Sequence, residues 1–297
     1  MVQNMIMETE HNRLPLLVEG SKVALVCCSN GQSRRNGGII KHLENILQQA
    51  GVTVVCSPYL YEKDSVFSGT GKERAESLME FYRDDTVRAI FDLSGGDLAN
   101  EILPYLDYEI IAHSDKFFWG YSDLTTVINA IYAKTGKASV LYQIRNLASR
   151  DGKEQLENWS RTVQQGEDTL FDFRYQMVQG ESMQGIVVGG NIRCLLKLAG
   201  TPYLPNMAGK VLLLEALHGT VPQMVTYLNQ LAQMGVFEQI NGILLGTFTQ
   251  MEEENIQPGM IELVQRYAGT RISIAKTEEI GHGTDSKAIM IGREISV

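Results

Sequence analysis

The chain has 297 residues, of which 44% are hydrophobic and 21% charged, a balance typical of a globular protein with room for two domains. Its formal net charge of -9 argues against a partner with a phosphate backbone, so we expect no nucleic-acid binding. No segment approaches the roughly eighteen uninterrupted apolar residues of a membrane span, and the N-terminus lacks a basic stretch followed by an apolar run. We therefore expect a cytoplasmic protein with no membrane partner.

The cysteines indicate a reducing compartment. The chain has four, at Cys27, Cys28, Cys56 and Cys194, and none forms a C-x-x-C pair. The first three lie in apolar, strand-like runs, which predicts small buried hydrophobic side chains. We expect no metal site and no cofactor.

Strand-like and helix-like segments alternate in the first half of the chain. Continuous apolar runs at 22–29, 52–56 and 87–94 predict buried strands. Amphipathic stretches at 39–51 and 71–83 separate them and predict helices. This alternation predicts right-handed crossovers and a parallel sheet, which is an α/β fold.

A pair of glycines, Gly95 and Gly96, directly follows the third predicted strand, and Ser122 follows the next one. Open parallel sheets bind ligands at the carboxyl ends of their strands, so the pair and Ser122 are expected on the same rim. The double glycine would let backbone amides approach a ligand closely. A tight turn without a ligand is the alternative.

Ser122 lies between a predicted strand and a predicted helix. An aromatic run ends at Gly120, and helical spacing begins at Leu124 and closes on Gly136. The unpaired amides of the first helical turn would then stabilise an oxyanion formed by attack of the serine. Two observations weaken this interpretation: Ser122 and Asp123 could simply cap the helix, and Leu124 replaces the second glycine of the G-x-S-x-G turn.

The middle of the chain, residues 144–182, is polar and weakly periodic, with Trp159 as the one large apolar residue of its first half. We interpret it as a boundary or covering segment between domains. Residues 185–200 then predict a short strand, a glycine turn and a helix. The next apolar strand, from Lys210, ends near Glu215, whose charge would be costly to bury without a partner.

One histidine stands out by its flanks. Of the five histidines, only His282 lies between two glycines, which would let its imidazole project from a loop as a base; the others are His11, His42, His113 and His218. An exposed loop histidine without a role is the alternative. Together Ser122, Glu215 and His282 supply a nucleophile, an acid and a base, the minimum set for acyl transfer through a covalent intermediate.

Five motifs resemble, in order and approximate spacing, those of the LD-carboxypeptidase family of serine peptidases, which includes murein tetrapeptide carboxypeptidases and microcin C immunity peptidases. The motifs are Leu93-Ser-Gly-Gly-Asp, Gly120-Tyr-Ser-Asp, Gly189-Gly-Asn-Ile-Arg, Leu212-Leu-Leu-Glu and Ile280-Gly-His-Gly. The resemblance covers nearly the whole chain. It implies that Ser122 is the nucleophile, His282 the base and Glu215 the acid that orients the histidine.

The resemblance also implies an oxyanion hole formed by the amides of Asp123 and Gly96, with Gly95 beside them. It implies an N-terminal Rossmann-like parallel-sheet domain with the nucleophile, residues 1–165, and a smaller C-terminal α/β domain with the acid and the histidine, residues 166–297. The site would lie between the domains of a homodimer.

The activity expected from the resemblance is that of a serine carboxypeptidase hydrolysing the bond between an L-centre and a terminal D-amino acid, as in muropeptide recycling. A hydrolase of peptidyl or aminoacyl nucleotides, as in the microcin C branch, is an alternative in which Trp159 or Tyr175 would stack on the base. A ligand-binding relative without catalysis is the third possibility.

The chain departs from the family after the acid. Glu215 is followed by alanine where family members often have aspartate, and the arginine that often follows shortly after is missing. A terminal carboxylate would therefore be bound by backbone amides of the glycine turns or by another arginine near the motifs. The candidates are Arg145, Arg150 and Arg193.

Overall fold

The computed structural model describes residues 3–4 and 14–297, so nearly all of the polar leader, including His11, lies outside the described residues. Its strands are β1 (Gln3–Asn4), β2 (Lys22–Val26), β3 (Thr53–Cys56), β4 (Val87–Asp92), β5 (Phe117–Gly120), β6 (Ser139–Leu141), β7 (Arg174–Gln179), β8 (Gln184–Asn191), β9 (Val211–Ala216), β10 (Gly242–Phe248), β11 (Ser273–Lys276), β12 (Ile289–Ile291) and β13 (Glu294–Ser296).

The α-helices are α1 (Gly37–Gln49), α2 (Gly71–Arg83), α3 (Tyr108–His113), α4 (Thr125–Thr135), α5 (Gly152–Gln165), α6 (Ile192–Leu196), α7 (Val221–Gln233), α8 (Thr249–Glu253) and α9 (Met260–Ala268). Short 3-10 helices span Arg34–Asn36, Ala99–Tyr105, Ser122–Leu124 and Ile144–Ala148. In the part of the chain that the structure describes, no helix is both long and apolar enough to cross a bilayer.

The first sheet has the strand order β12-β6-β5-β4-β2-β3, and its strands are parallel except for β12, which runs antiparallel to β6. Its five parallel strands have the order of a doubly wound, flavodoxin-like sheet. In such a sheet the strand order reverses between β2 and β4, and ligands bind at the carboxyl ends beside that point. The loop of the double glycine follows β4 and so lies there.

The second sheet has the order β1-β7-β11-β10-β9-β8-β13. Its four central strands are parallel, and antiparallel strands flank them on both sides. Two mostly parallel sheets with helices confirm the predicted α/β fold class. Strand β12 returns to the first sheet, so the end of the chain contributes to both sheets.

Local signals set several helix boundaries. Thr70 and Glu73 form a reciprocal capping box at the start of α2, with each side chain accepting a hydrogen bond from the other residue's amide. Helix α4 ends at Gly136 in the left-handed conformation (φ 72°), as its position in the sequence predicted. These boundaries depend on neighbouring residues alone, which is why the sequence predicted them well.

The prediction that residues 144–182 form a weakly periodic covering segment is wrong in part. They contain α5, a regular helix of 14 residues. Much of its buried face is polar or small, with Gln155, Asn158 and Thr162 beside Trp159, and this hides the helical pattern of apolar residues. Trp159 is fully buried and packs against Phe91, with 6.2 Å between ring centroids.

The predicted burial of Cys27 and Cys28 is confirmed, and that of Cys56 is wrong, because its side chain is exposed. Cys56 is the last residue of β3, which lies at the edge of the first sheet, and both ends of this strand are exposed while its middle residues are half-buried. An apolar run does not show whether a strand is central or at an edge.

The predicted glycine turn at Gly189 and Gly190 is also wrong, because β8 continues through both residues. Both adopt positive φ, 102° and 130°, and α4 packs against them. Asn129 of α4 donates to Gly189 O (2.9 Å) and accepts from Gly189 N (2.8 Å). A Cβ on Gly190 would collide with Thr125 of α4, and one on Gly189 would collide with the carbonyl of Leu213 in β9, so both positions require glycine.

Gly190→Ala is expected to lower the free energy of unfolding by about 2 kcal/mol more than Gly200→Ala. Both glycines have positive φ, but a Cβ on Gly190 would lie 2.7 Å from Thr125 Oγ1, whereas nothing lies within 4 Å of one on Gly200. Chemical denaturation of the two variants measures the difference. Equal losses would show that backbone conformation alone, and not packing against α4, requires Gly190.

Candidate active site

Ser122 occupies a strained turn at the carboxyl end of β5. Its φ is +56°, a conformation uncommon for residues other than glycine. Such strain is typical of nucleophile turns that project a serine from the edge of a sheet. The residue at the N-cap of α4 is Leu124, without a side-chain cap, so neither Ser122 nor Asp123 caps that helix.

Leu124 stands where the usual nucleophile turn has its second glycine, and it fits there because it packs against Gly120. A Cβ on Gly120 would lie 2.7 Å from Leu124 Cβ, so the leucine occupies the space that the absence of a side chain on Gly120 creates. The turn therefore needs a glycine before Ser122 and accepts a large apolar residue after it.

Asp123 is fully buried and holds three loops together with its side chain. One oxygen accepts from Ser29 Oγ (2.6 Å) and from the amide of Ala99 (2.9 Å). The other accepts from Lys197 Nζ at 2.5 Å. The loops after β2, β4 and β5 are thereby fixed to one another, and Lys197 ties them to the segment after β8.

A second buried carboxylate, Asp92, positions the start of the double-glycine loop. It accepts from the amides of Cys28 and Ser94, each at 2.7 Å, and Ser94 Oγ in turn accepts from the amide of Ser29 at 2.9 Å. Burial raises the pKa of Asp92, while the hydrogen bonds from Ser94 and Cys28 act in the opposite direction. The site is thus built on interlocked polar groups beneath its rim.

Lys197→Met is expected to lower the free energy of unfolding by about 3 kcal/mol, because it leaves Asp123 buried without its cation. Arg193→Met is the matched control: its partner Asp97 has a side chain that is 59% exposed, so a loss of about 1 kcal/mol or less is expected. Urea denaturation of both variants tests the difference. Similar losses would contradict the role given to the buried pair.

The double glycine lies directly beside Ser122. A methyl group built on Gly95 would lie 3.8 Å from Ser122 Oγ, and Gly96 has a φ of +114°. The side chain of Asn30 fills the space that a Cβ on Gly96 would need, and its Oδ1 accepts from the amide of Asp97 at 3.1 Å. The backbone at Gly95 therefore passes close to the serine, and Gly96 is the next residue along the chain.

Glu215, on β9 of the second sheet, and His282, in the loop after β11, form a pair with buried side chains. His282 Nδ1 and Glu215 Oε2 are 2.5 Å apart, and their side chains are 1% and 2% exposed. This partner for Glu215 agrees with the expectation that its charge would not be buried alone. Among the described residues, His282 Nε2 and Glu215 Oε1 have no hydrogen-bond partner.

Two glycines allow the histidine loop to approach the acid. A Cβ on Gly246 of β10 would lie 3.1 Å from Glu215 Cβ and would collide with the carbonyl of Ile280. Gly281, with a φ of +152°, packs against Thr247 of the same strand. The flanking glycine thus serves close packing against β10, and not the free projection of the imidazole that the sequence suggested.

Tyr121 connects the two halves of the site. It directly precedes Ser122, and its ring lies 4.5 Å from the imidazole of His282 between centroids. Asn146 adds a second link by donating to Gly283 O at 3.3 Å. The structure therefore brings the Glu215–His282 pair against Tyr121, the residue before Ser122, while His282 Nε2 forms no hydrogen bond with Ser122 Oγ.

Several site residues were missed by sequence reasoning, notably Tyr121, Lys197, Ser29 and Asn30. Each acts through contacts with residues far away in the chain, for which the sequence contains no local pattern. Two had a signal, since Tyr121 lies inside the Gly120-Tyr-Ser-Asp motif and Lys197 inside the continuation of the Gly189 motif through Cys-Leu-Leu-Lys. The suggestion that Trp159 or Tyr175 would stack on the base of a nucleotide is wrong. Trp159 is fully buried and Tyr175 is 6% exposed, so neither ring is available to a ligand.

A serine on a strained turn beside a buried carboxylate–histidine pair defines the class of serine hydrolases. Comparison with known families agrees. A model of the LD-carboxypeptidase N-terminal domain matches residues 23–143, and one of the LD-carboxypeptidase C-terminal domain matches residues 184–297. The chain therefore belongs to the LD-carboxypeptidase family, a family of serine peptidases.

Relatives and solved structures agree with this assignment. The probable murein peptide carboxypeptidase of Bacillus subtilis strain 168 is 28% identical over 84% of this chain and 81% of its own length. The microcin immunity protein MccF in complex with glutamyl sulfamoyl guanosine has a TM-score of 0.83 at 19% identity, covering 96% of this chain and 98% of that one. The muramoyltetrapeptide carboxypeptidase of Oxalobacter formigenes has a TM-score of 0.75 at 20% identity, covering 93% and 97%. The two solved structures establish the fold.

Proposed function

We propose that the protein is a serine LD-carboxypeptidase that removes a terminal D-amino acid from a muropeptide stem. The observation that carries the proposal is the buried Glu215–His282 pair, 2.5 Å apart, beside the strained turn of Ser122. The family to which the chain belongs and its murein peptidase relative support the substrate class.

In the proposed mechanism Ser122 Oγ attacks the peptide carbonyl carbon while its proton passes to His282 Nε2. Because Nδ1 lies against the Glu215 carboxylate, the neutral imidazole has its proton on Nδ1, and Nε2 is free to accept. Glu215 then stabilises the imidazolium and holds the ring in place. When the C–N bond breaks, the imidazolium gives its proton to the leaving amine.

The acyl-enzyme left on Ser122 is hydrolysed by a water molecule that His282 activates in the same way. We assign stabilisation of the oxyanion in both steps to the amides of Asp123 and Gly96, with Gly95 beside them. The short 3-10 helix at Ser122–Leu124 supports this, since amides in a first helical turn have no partner within the helix.

The direct test offers the protein two substrates side by side: a muropeptide tetrapeptide ending in D-alanine, and glutamyl sulfamoyl guanosine. Release of D-alanine, with little cleavage of the nucleotide, is the expected result. Preference for the nucleotide would replace the proposal with the second candidate, a hydrolase of aminoacyl nucleotides, which the likeness to MccF favours. Binding without cleavage of either would indicate the non-catalytic relative.

We further propose that the protein is a cytoplasmic homodimer. We also propose that each chain has two domains, with the nucleophile in residues 1–165 and the acid and histidine in residues 166–297. The free thiols of all four cysteines, one of them exposed, support a reducing compartment. The end of α5 at Gln165, before the second sheet's β7, supports the boundary. The family resemblance supports the dimer.

A further inference from the structure

A carboxypeptidase must bind the carboxylate of the residue it removes. That residue supplies the leaving amine, which takes its proton from the histidine, so the carboxylate lies on the histidine side of the nucleophile. The segment after Glu215 supplies no arginine there: the next residues are Ala216 and Leu217, followed by an exposed histidine. Another cation is needed if the charge is to be recognised by a side chain.

Most cations near the site already have acidic partners. Arg193 donates to Asp97, and Lys197 is 3.0 Å from Asp97 and 2.5 Å from Asp123. Arg150 has a side chain that is 81% exposed and pairs with the carboxylate next to it in the chain. These three side chains are therefore poor candidates for binding a further anion.

Arg145 differs from them. It lies in the 3-10 helix Ile144–Ala148, which follows β6 at the same rim as Ser122. Within residues 14–297 it forms no ion pair, its Nη1 donates to the neutral amide of Gln32 at 3.2 Å, and its buried Nε has no partner. A partly buried guanidinium without a counter-charge is costly, which favours a site completed by an anionic ligand.

The surroundings of Arg145 place it on the histidine side. The next residue, Asn146, donates to the carbonyl of Gly283 in the histidine loop at 3.3 Å. Burial raises the pKa of Tyr121, whose ring packs on His282; the charge of Glu215 acts in the same direction, and the positive charge of Arg145 opposes it. Arg145 is thus the direct neighbour of a residue that contacts the histidine loop.

We propose that Arg145 binds the terminal carboxylate of the substrate and so restricts cleavage to the last residue of a peptide. This assignment rests on the proposed function. Because guanidinium and carboxylate can form two parallel hydrogen bonds, lysine at this position would preserve the charge but not the geometry.

The test compares a tetrapeptide with a free C-terminus and the same peptide as its C-terminal amide. Arg145→Gln is expected to lower kcat/KM for the acid by about thirtyfold, mainly through KM, and to leave the amide nearly unaffected. Arg145→Lys should recover part of the loss. Arg271→Gln is the charge-matched control, because Arg271 is exposed and precedes the amino end of β11, away from the rim that carries the site. This variant should change kcat/KM for neither substrate.

Binding separates this inference from the proposed function. In a Ser122→Ala background, calorimetry should show tighter binding of the acid than of the amide, and Arg145→Gln should remove that preference. If the preference depends on Arg145 although the wild-type protein cleaves neither peptide, only the proposed function fails. If Arg145→Gln weakens acid and amide equally, or weakens neither, the assignment of Arg145 is overturned whatever the activity.

Discussion

Replacement of Ser122 by alanine is expected to lower kcat/KM for the tetrapeptide by about a thousandfold or more, because no other group would form the acyl-enzyme. Circular dichroism and denaturation should show a retained fold, since Ser122 does not cap α4. Release of D-alanine measures the activity. If Ser122→Ala keeps more than about a tenth of the activity, Ser122 is not the nucleophile.

Ser122→Gly provides a matched control for the strained backbone. Glycine adopts a φ of +56° without steric cost, so this variant is expected to be about 1 kcal/mol more stable than Ser122→Ala. Both variants should be equally inactive. A difference in stability without a difference in activity would show that the loss comes from the missing hydroxyl group and not from the conformation of the turn.

His282→Ala is expected to be about as damaging as Ser122→Ala, because a nucleophile and its base act as one unit. The double variant should therefore be no worse than either single one. Glu215→Gln should cost about one to two orders of magnitude less than His282→Ala, since the acid orients and stabilises the imidazole but moves no proton itself. Kinetics on the tetrapeptide measure all four variants.

His218→Ala is the control for loss of a histidine near the acid. His218 is exposed and lies only three residues after Glu215, so its replacement should leave activity unchanged. A double variant of Ser122 and His282 that falls far below either single variant would contradict the single-unit mechanism. Full activity of His282→Ala would remove the histidine from the mechanism altogether.

The fold was predictable where signals are local and repeated. Apolar runs and amphipathic stretches gave the alternating elements, and Gly136 gave the end of α4. The prediction failed where tertiary packing overrides the local pattern: α5 buries polar side chains such as Gln155, and β8 continues through Gly189 because α4 packs there. Neither contact leaves a periodic trace in the sequence.

The candidate site was predictable only as separate parts. Ser122 had a strand-to-helix context, Glu215 an unusual charge in an apolar run, and His282 its flanking glycines; family motifs joined them. The sequence could not show that Tyr121 packs on His282 or that Lys197 reaches Asp123, because these contacts join residues 74 or more positions apart. Such contacts exist only once the two sheets have assembled.

The most direct test of the central claim is to map a fluorophosphonate adduct by peptide mass spectrometry. We expect one adduct, on Ser122, absent from Ser122→Ala and formed at least about a hundredfold more slowly in His282→Ala, because the base activates the hydroxyl group. No adduct, an adduct at another residue, or labelling that does not depend on His282 would contradict the account of a serine peptidase built on Ser122, Glu215 and His282.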